Sequence, residues 1–404
     1  MHPVNPLTQQ HIGIAGAGLL GRLLAWQLAR AGHVVEVFDP SPDAAPRWRE
    51  ALALQGDAST APQAAAFTAA GMLSPLAELD NAEPAVAALG WRSLQIWRAI
   101  AAALPQQPFF AARGSLMLAH REDAGSARRV LDRLQTACAT PQWQQASPRQ
   151  SAAQALDAAA LHLLEPAVQA VAHAWLLPGE GQVDTAAMLH ALLADASATG
   201  RVTWHWGQGV RALRAQGERA ALLQLAGGGQ AAFDCAIDVR GVGAKPDLPV
   251  RGVRGEVLTL HCPGHGLQRP LRLLHPRHRV YIVPRPGDRV LVGASELESE
   301  DRSPVSLRGV VELLAAAHSV LPALAEARIE HLDVNLRPAL PDNNPLARWQ
   351  GRCLSINGLF RHGWLLAPAL VEGALAQGPL AGSALDVPAV DVAPADATAA
   401  AAPD

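Results

Sequence analysis

Three glycines near the start of the chain have the spacing that a dinucleotide diphosphate requires. They form a G-x-G-x-x-G pattern at Gly16, Gly18 and Gly21. The first glycine permits a tight turn, the second lets a diphosphate approach the backbone, and the third lets a helix pack closely on the preceding strand. The first N–H groups of that helix attract phosphates, because they have no intrahelical acceptor. The turn, with Leu19 and Leu20, is therefore predicted to bind a dinucleotide.

An acidic residue, Asp39, lies eighteen residues beyond the last of these glycines. It follows the apolar segment 33–38 (HVVEVF), which is rich in β-branched residues and predicts a strand. At the end of that strand a carboxylate can accept hydrogen bonds from ribose hydroxyls. The pattern does not distinguish FAD from NAD, and a glycine-rich turn without a ligand is the simpler alternative.

A run of small residues, 68–75 (TAAGMLSP), is a second candidate for ligand contact. Around Ala70, Gly71 and Met72, few bulky side chains separate the backbone from its surroundings, so backbone amides could lie against a flat, bulky ligand. In a chain this rich in alanine, the same run is also compatible with ordinary packing.

The elements around these residues follow the order strand, helix, strand. Residues 11–16 (HIGIAG) predict an apolar strand, residues 19–31 carry leucines at helical spacing, and 33–38 is the second strand. This order is typical of a βαβ unit with a right-handed crossover.

Farther along, strands at antiparallel spacing are predicted at 255–261, 279–285 and 289–295. Helices are predicted over 82–103, 124–137, 182–198, 306–321 and 366–375. A sheet inserted between a βαβ start and a late apolar helix indicates a discontinuous nucleotide-binding domain. We assign 11–80, 150–250 and 335–378 to that domain, 81–149 and 251–334 to a substrate domain, 1–10 to a flexible lead and 379–404 to a disordered tail.

Composition narrows the classes of function. The chain has 404 residues, half of them apolar, and a net charge of −3. This charge gives no basic surface for nucleic acid or an anionic membrane. We find neither a signal peptide nor an apolar stretch long enough to span a bilayer, so we expect a soluble, cytoplasmic protein. The four cysteines form no C-x-x-C pair, so we expect no metal site.

Further segments extend the pattern into the C-terminal half. They are 181–184 (GQVD), 254–256 (RGE), 281–285 (YIVPR), 336–342 (LRPALPD) and 360–368 (FRHGWLLAP). With the glycine-rich turn and the run at 68–75, they resemble the D-amino-acid-oxidase (DAO) superfamily, and within it the glycine oxidases of the ThiO type. The resemblance runs from about residue 11 to 376. It implies an α/β fold, in which an FAD-binding Rossmann-like domain of the glutathione-reductase type carries an inserted antiparallel β-sheet substrate domain.

The resemblance implies an oxidase that passes a hydride from the α-carbon of glycine or a small amine to FAD. The imine product hydrolyses or feeds thiazole synthase in thiamine biosynthesis, and dioxygen becomes hydrogen peroxide. Arg337 matches the family's carboxylate-binding arginine, Tyr281 its substrate-contacting tyrosine, and Arg361 a second position near flavin and substrate. A surface ion pair at Arg337 and a structural tyrosine on the strand are the alternatives. Assembly into a homo-oligomer is left open.

The flavin ring is implied to lie against the segment that starts at Leu359. A helix beginning near Gly363 would direct N–H groups at the N1–C2=O edge of the flavin, where reduction places negative charge. If Pro368 falls in the first turn of that helix, it is tolerated because its missing N–H is not needed there. Val210 is implied to hold the adenine through its backbone. The residues assigned to the ring are Leu359, Phe360, His362, Gly363, Trp364 and Leu365.

Two departures from the family pattern bear on the site. Residues 64–67 (AAAF) lack the hydroxyl groups that relatives often have there, so a phosphate hydrogen bond is either missing or supplied by Thr68. Glu296 stands where some relatives have a neutral residue. It would favour a cationic amine or face solvent with Glu298, Glu300 and Asp301.

Three alternative functions remain. One is a sarcosine or D-amino-acid oxidase, or a dehydrogenase of the same superfamily; a dehydrogenase that reduces a quinone would need a membrane contact, and no basic amphipathic segment stands out. Another is a tRNA-modifying FAD oxidoreductase, against which the balanced charge argues. The third is a flavin-binding protein without turnover.

Overall fold

Most of the longer helices lie where the apolar periodicity of the sequence predicts them. A computed structural model describes residues 8–45, 63–141, 143, 152–217, 220–274 and 279–387. The helices are α1 Leu19–Arg30, α2 Ala65–Thr68, α3 Pro75–Glu78, α4 Pro84–Ala103, α5 Ala124–Cys138, α6 Ala158–Leu164, α7 Thr185–Ala198, α8 Leu307–Val320 and α9 Gly363–Leu375. Short 3-10 turns lie at Arg121–Asp123, Gly241–Ala244, Pro322–Glu326, Phe360–His362 and Gly378–Leu380.

The strands form four sheets in the described residues. In chain order they are β1 His11–Ala15, β2 Val34–Asp39, β3 Met72–Leu73, β4 Phe110–Ala111, β5 Ser115–Ala119, β6 Gln154–Leu156, β7 His173–Leu177, β8 Gly181–Val183, β9 Val202–Trp206, β10 Val210–Gln216, β11 Ala220–Leu225, β12 Gln230–Phe233, β13 Cys235–Asp238, β14 Arg251–His261, β15 Leu271–Leu274, β16 Arg279–Arg285, β17 Arg289–Gly293, β18 Arg328–Ala339, β19 Leu346–Gln350 and β20 Cys353–Asn357.

A six-stranded sheet carries the glycine-rich turn. Its order is β19-β20-β13-β1-β2-β9, and β1 runs parallel to both β2 and β13. The central strands are apolar because helices cover them, as is usual for parallel strands; Ile12, Ile14 and Ile237 are fully buried. The βαβ unit predicted from the sequence is therefore present as β1, α1 and β2. Strands β10, β11 and β12 form a separate antiparallel sheet.

An eight-stranded sheet, in the order β18-β14-β17-β16-β15-β5-β7-β6, forms the second large layer. Its long strands β14 and β18 pair antiparallel, and β16 pairs with both β15 and β17. In this register Tyr281 lies opposite Arg272 on one side and opposite Gly293 on the other. Side chains opposite each other in a sheet are close enough to interact, so the register fixes which charges surround Tyr281.

Two assignments made from the sequence differ from the element pairing. Strands β6 and β7 belong to the eight-stranded sheet, although 150–250 was placed with the nucleotide-binding segments. Helix α4 packs against α9, although 81–149 was placed in the substrate domain. Strand pairing across the chain decides these memberships, and local periodicity does not reveal it. The domain boundaries themselves stay a prediction.

The helix predicted from residue 182 begins at Thr185. Residues Gly181–Val183 are instead a buried strand. The Asp184 carboxylate then caps the helix by accepting a hydrogen bond from the Ala187 N–H at 2.9 Å, which is the usual role of an aspartate at an N-cap.

The first residues of the predicted disordered tail are packed on the protein. Gln10 donates a hydrogen bond to the Pro379 carbonyl at 2.8 Å, and Arg92 donates to the Val387 carbonyl at 2.7 Å. The His33 ring contacts the Ser383 hydroxyl at 2.9 Å. The remainder of the predicted tail, 388–404, and residues 1–7 of the predicted lead lie outside the described residues.

Candidate active site

A cavity of about 1310 Å³ opens at the carboxyl ends of the parallel strands. Strands β1, β2, β13 and β20 all run in the same direction, so the residues that follow them meet at one edge of the sheet, where ligands of such folds bind. Among the residues predicted for the site, all line this cavity except Gly21. They are Gly16, Gly18, Leu19, Leu20, Asp39, Ala70, Gly71, Met72, Val210, Tyr281, Arg337, Leu359, Phe360, Arg361, His362, Gly363, Trp364 and Leu365.

The glycine-rich turn has the geometry that its sequence predicts. Gly16 adopts a φ of 107°, a region that favours glycine, and its N–H donates to the Phe38 carbonyl at 2.8 Å. Gly21 faces the turn instead of the cavity, since a Cβ there would lie 1.8 Å from the Gly16 carbonyl oxygen. The third glycine therefore lets α1 pack against the turn.

Asp39 braces this turn. Its Oδ2 accepts a hydrogen bond from the Ala17 N–H at 2.6 Å, and its Oδ1 accepts one from the Ser41 N–H at 2.8 Å. The carboxylate lines the cavity, at the end of β2 where an acceptor for ribose hydroxyls was predicted.

The run of small residues lies on the same cavity. Gly71 has a φ of 61°, and a Cβ there would lie 2.4 Å from the Val183 carbonyl oxygen. The Ala70 carbonyl accepts a hydrogen bond from the Arg285 guanidinium. Thr68 donates its hydroxyl hydrogen to Asp333 and accepts a hydrogen bond from Asn335 at 3.1 Å. Because the hydroxyl hydrogen is already donated to Asp333, the arrangement does not favour Thr68 as a donor to a phosphate.

Two glycines make room for the predicted substrate-binding side chains. A Cβ on Gly255 would lie 2.6 Å from the central guanidinium carbon of Arg337. A Cβ on Gly293 would lie 2.6 Å from the Tyr281 hydroxyl oxygen. Arg337 donates hydrogen bonds through Nη1 to the Ser295 carbonyl at 3.1 Å and the Arg254 carbonyl at 3.3 Å. These contacts hold the guanidinium over the strand and leave it on the cavity wall.

Burial raises the pKa of Tyr281, although the positive charges of Arg337, Arg272 and Arg285 act in the opposite direction. The hydroxyl is therefore protonated at neutral pH and can donate a hydrogen bond into the cavity. A guanidinium and a protonated phenol on one wall together suit a carboxylate, which accepts from both.

A cluster of charges that the sequence did not predict forms another part of the wall. Glu78 Oε1 accepts a hydrogen bond from Arg272 at 3.1 Å, and its Oε2 lies 3.6 Å from Arg361 Nη2 and 3.3 Å from His362 Nδ1. Burial opposes ionisation of Glu78, but the positive charges of His362 (when protonated), Arg272 and Arg361 outweigh it and lower the pKa of Glu78 to about 2. Burial lowers the pKa of His362. At neutral pH the carboxylate is thus charged and the imidazole is neutral.

Glu296 takes part in this cluster. It lines the cavity and lies 3.5 Å from Arg361, with its side chain 49% exposed. Glu298, Glu300 and Asp301 instead pair with other cations, so Glu296 is separated from the acidic residues that follow it. Glu78 carried one weak sequence signal, and Arg272 carried none. Glu78 follows closely after the small-residue run, and Arg272 is recognisable only once its pairing with Tyr281 is known.

Helix α9 begins at Gly363, where the helix facing the flavin was expected and three residues before the range 366–375 that periodicity predicted, and its N-terminus lines the cavity. Pro368 does not lie in the first turn, where a proline would be tolerated without compensation, because it is the sixth residue of the helix. A proline there cannot donate to the carbonyl four residues earlier. The Trp97 indole N–H donates to that Trp364 carbonyl at 2.7 Å instead, which explains how the helix continues through Pro368.

The residues fit a long ligand with a diphosphate and a flat ring. One part of the wall has the glycine-rich turn with the α1 N-terminus, and another has the α9 N-terminus beside small residues. The volume exceeds the roughly 300–1,000 Å³ of most ligand pockets. In the residues that the structure describes, there is no cluster of metal-ligating side chains, and no helix is long and apolar enough to cross a membrane.

Comparisons with known proteins agree with this geometry. A family model described as FAD dependent oxidoreductase (DAO) matches residues 11–374. A protein of Rhizobium etli called a putative thiamine biosynthesis oxidoreductase ThiO is 36% identical over 360 residues, which cover 88% of this chain and 93% of that protein.

Two further comparisons concern the fold and a fused relative. The crystal structure of glycine oxidase from Geobacillus kaustophilus superposes with a TM-score of 0.73 at 24% identity, covering 91% of this chain and 94% of that one. At that identity it supports the fold alone. A Synechocystis protein called bifunctional protein ThiO/ThiG is 32% identical over 222 residues, which cover 53% of this chain and 33% of that protein.

Proposed function

The chain belongs to the DAO family of FAD-dependent oxidoreductases, and from this premise we propose that it oxidises glycine or another small amine or amino acid. The observation that carries the proposal is the common wall of Arg337 and Tyr281 in the cavity that also contains the glycine-rich turn. A cation and a hydroxyl donor in that position select a substrate with a carboxylate. The name of the Geobacillus kaustophilus relative, glycine oxidase, supports this substrate class.

FAD would be held by backbone as much as by side chains. The turn at Gly16 and Gly18 and the α1 N-terminus would bind its diphosphate, and Asp39 would accept hydrogen bonds from its ribose. The remaining contacts proposed for the cofactor follow the cavity wall. They are Leu19, Leu20, Ala70, Gly71, Met72, Val210, Leu359, Phe360, His362, Gly363, Trp364 and Leu365.

When bound, FAD supplies the acceptor for a hydride from the substrate α-carbon and the means to pass the electrons to dioxygen, which gives an imine and hydrogen peroxide. The residues of this chain bind and orient the substrate. Arg337 binds the carboxylate, Tyr281 donates a second hydrogen bond to it, and Arg361 contributes positive charge from another position on the cavity wall. The N-terminus of α9 adds a partial positive charge that stabilises negative charge developing on a neighbouring ring.

The proposal is tested by the Arg337→Met variant in a peroxide-coupled assay with glycine, sarcosine and several D-amino acids. Loss of a charge-assisted contact of about 1.5–3 kcal/mol predicts a rise in KM of about 10- to 100-fold. The yellow absorbance of bound FAD should stay, because Arg337 is not among the residues proposed to hold the cofactor. Arg308→Met, at an exposed arginine whose side chain is 78% accessible, is the matched control and should leave KM unchanged.

The substrate panel decides between glycine and the alternatives. Unchanged turnover of Arg337→Met at low glycine would show that the carboxylate binds elsewhere. No peroxide with any amine from a yellow wild-type protein would support a dehydrogenase or a binding protein instead.

We further propose that the imine product is passed to a thiazole synthase in thiamine biosynthesis. The name of the Rhizobium etli relative and the fused name of the Synechocystis relative support this step.

A further inference from the structure

A buried arginine lies directly behind the glycine-rich turn. Arg22 is the fourth residue of α1 and is 2% exposed. It donates hydrogen bonds to the Ala17 carbonyl at 2.9 Å, the Ala44 carbonyl at 3.0 Å and the Leu189 carbonyl at 3.1 Å. These three carbonyls belong to the turn, to the segment after β2 and to α7. The guanidinium thus joins three segments that meet beneath the nucleotide end of the cavity.

The charge of Arg22 has no carboxylate within ion-pair distance in the described part of the chain. Its other close neighbours are the rings of Phe67 and Trp206, at 5.1 and 5.8 Å from the guanidinium carbon. Burial lowers the pKa of Arg22 to about 10, and the more distant charge of Asp39 offsets this only in part. The group is therefore still protonated at neutral pH. A buried cation without a counter-ion is costly, so an anion nearby would stabilise it.

The position of the charge indicates where that anion would bind. Ala17 is the residue between the first two glycines of the turn. Arg22 holds its carbonyl, and Asp39 holds its N–H. The Asp39 carboxylate is engaged by backbone: its Oδ2 accepts from the Ala17 N–H of the turn, and its Oδ1 accepts from the Ser41 N–H after β2. The guanidinium is left as a full positive charge next to the peptide on which the diphosphate is expected to rest.

We propose that Arg22 is the buried counter-charge for the diphosphate of FAD, acting through the glycine-rich turn from its protein side. It is a positioning residue with a second, electrostatic role, and it adds a full charge to the partial charge of the α1 N-terminus. The proposal rests on FAD binding in this cavity and is independent of which amine the enzyme oxidises. The G-x-G-x-x-G pattern itself does not require an arginine at this position.

The test compares ligands that share only part of FAD. Apoprotein prepared from the holoenzyme is titrated with FAD, with ADP (which has the diphosphate) and with riboflavin (which lacks it). A full charge close to the diphosphate, at an effective dielectric of about 20, alters affinity by about tenfold or more. Arg22→Met should therefore weaken the affinity for FAD and for ADP by about tenfold or more. Its affinity for riboflavin should change by less than about twofold.

Two further variants separate charge from structure. Arg22→Lys keeps the charge but cannot reproduce the three-carbonyl geometry, so it should keep most of the affinity for FAD. Arg30→Met, at an exposed arginine of the same helix that pairs with Asp195, should behave as wild type.

The proposal is overturned if Arg22→Met weakens the affinities for FAD and for riboflavin by the same factor. It is also overturned if Arg22→Lys loses as much affinity for FAD as Arg22→Met does. Either result would make Arg22 a structural clamp. If Arg22→Met does not fold, Arg22→Gln, which removes the charge but keeps a hydrogen-bond donor, takes its place in the same titrations. Failure of the wild type to bind any FAD would instead contradict the FAD-binding role of the cavity, and failure to oxidise glycine would leave the titrations unaffected.

Discussion

At the scale of single residues, the missing side chains of Gly255 and Gly293 create the space that Arg337 and Tyr281 occupy. Both glycines belong to strands of the eight-stranded sheet, and neither has a positive φ. Their role is steric, because a Cβ on Gly255 would overlap Arg337 and a Cβ on Gly293 would overlap Tyr281. The positions of Arg337 and Tyr281 on the substrate-binding wall therefore require glycine at 255 and 293.

The Gly255→Ala variant tests this steric role. The new Cβ would push the flexible end of Arg337 away from its position, so we expect KM for a carboxylate-bearing substrate to rise by about tenfold, with little loss of stability. Steady-state kinetics together with a melting temperature check this. Gly125→Ala in α5, where a Cβ would meet nothing within 4 Å, is the control. An unchanged KM in Gly255→Ala would show that Arg337 has other productive positions.

At the scale of elements, α9 depends on α4. Pro368 interrupts the hydrogen bonds of α9 at its second turn, and Trp97 of α4 fills the gap by donating to the Trp364 carbonyl. A second side chain of α4, Ser93, accepts a hydrogen bond from the Ala369 N–H at 3.2 Å. The helix whose N-terminus lines the cavity is thus held in place by a neighbour distant in sequence.

Trp97→Phe should lower the free energy of unfolding by about 1–3 kcal/mol, because it leaves the Trp364 carbonyl without a donor. Urea denaturation measures the change. Trp91→Phe is the matched control, since the buried Trp91 indole N–H has no hydrogen-bond partner in the described residues. The double variant Trp97→Phe/Pro368→Ala restores a backbone N–H to the helix and should recover part of the loss. Equal losses of unfolding free energy in Trp97→Phe and Trp91→Phe would show that the effect comes from side-chain packing and not from the hydrogen bond to the Trp364 carbonyl.

At the scale of the whole molecule, the cavity brings together charges from three distant parts of the chain. Glu78 follows the small-residue run, Arg272 lies on β15, and Arg361 and His362 precede α9. The carboxylate of Glu78 sits among the guanidinium groups of Arg272 and Arg361 and the imidazole of His362, which is positive only when protonated, and its pKa falls from 4.5 to about 2. Such a depressed pKa means that folding favours the charged carboxylate.

Stability should therefore depend on pH through Glu78. Because the folded pKa is the lower one, the contribution is present above about pH 4.5 and disappears as the pH falls toward about 2. Glu78→Gln should melt at a lower temperature than wild type at pH 7, and the difference should shrink between pH 4.5 and pH 3. Melting temperatures at matched FAD concentration measure it, with Glu122→Gln at an exposed position as control. A difference independent of pH would contradict an electrostatic origin.

The sequence by itself was sufficient for the features that depend on contiguous residues. The G-x-G-x-x-G turn, the strand before it, the helix after it and Asp39 lie within one βαβ unit, so spacing alone predicted their arrangement. The motif resemblance in the C-terminal half predicted Arg337, Tyr281 and Arg361, and the structure places all three on one cavity. Periodicity placed the start of α9 three residues late, although the helix expected near Gly363 is present. The sequence did not show how the helix accommodates Pro368, because the compensating donor Trp97 lies on another helix.

Only the tertiary structure determined which distant groups share an environment. The pairing of Tyr281 with Arg272 follows from strand register, the charge of Glu78 follows from cations far away in the chain, and the three carbonyl partners of Arg22 come from three segments. Periodicity reports which face of an element is buried, whereas register and packing decide what it is buried against. For that reason the cofactor-binding turn could be predicted from sequence, while the electrostatics that surround it required the fold.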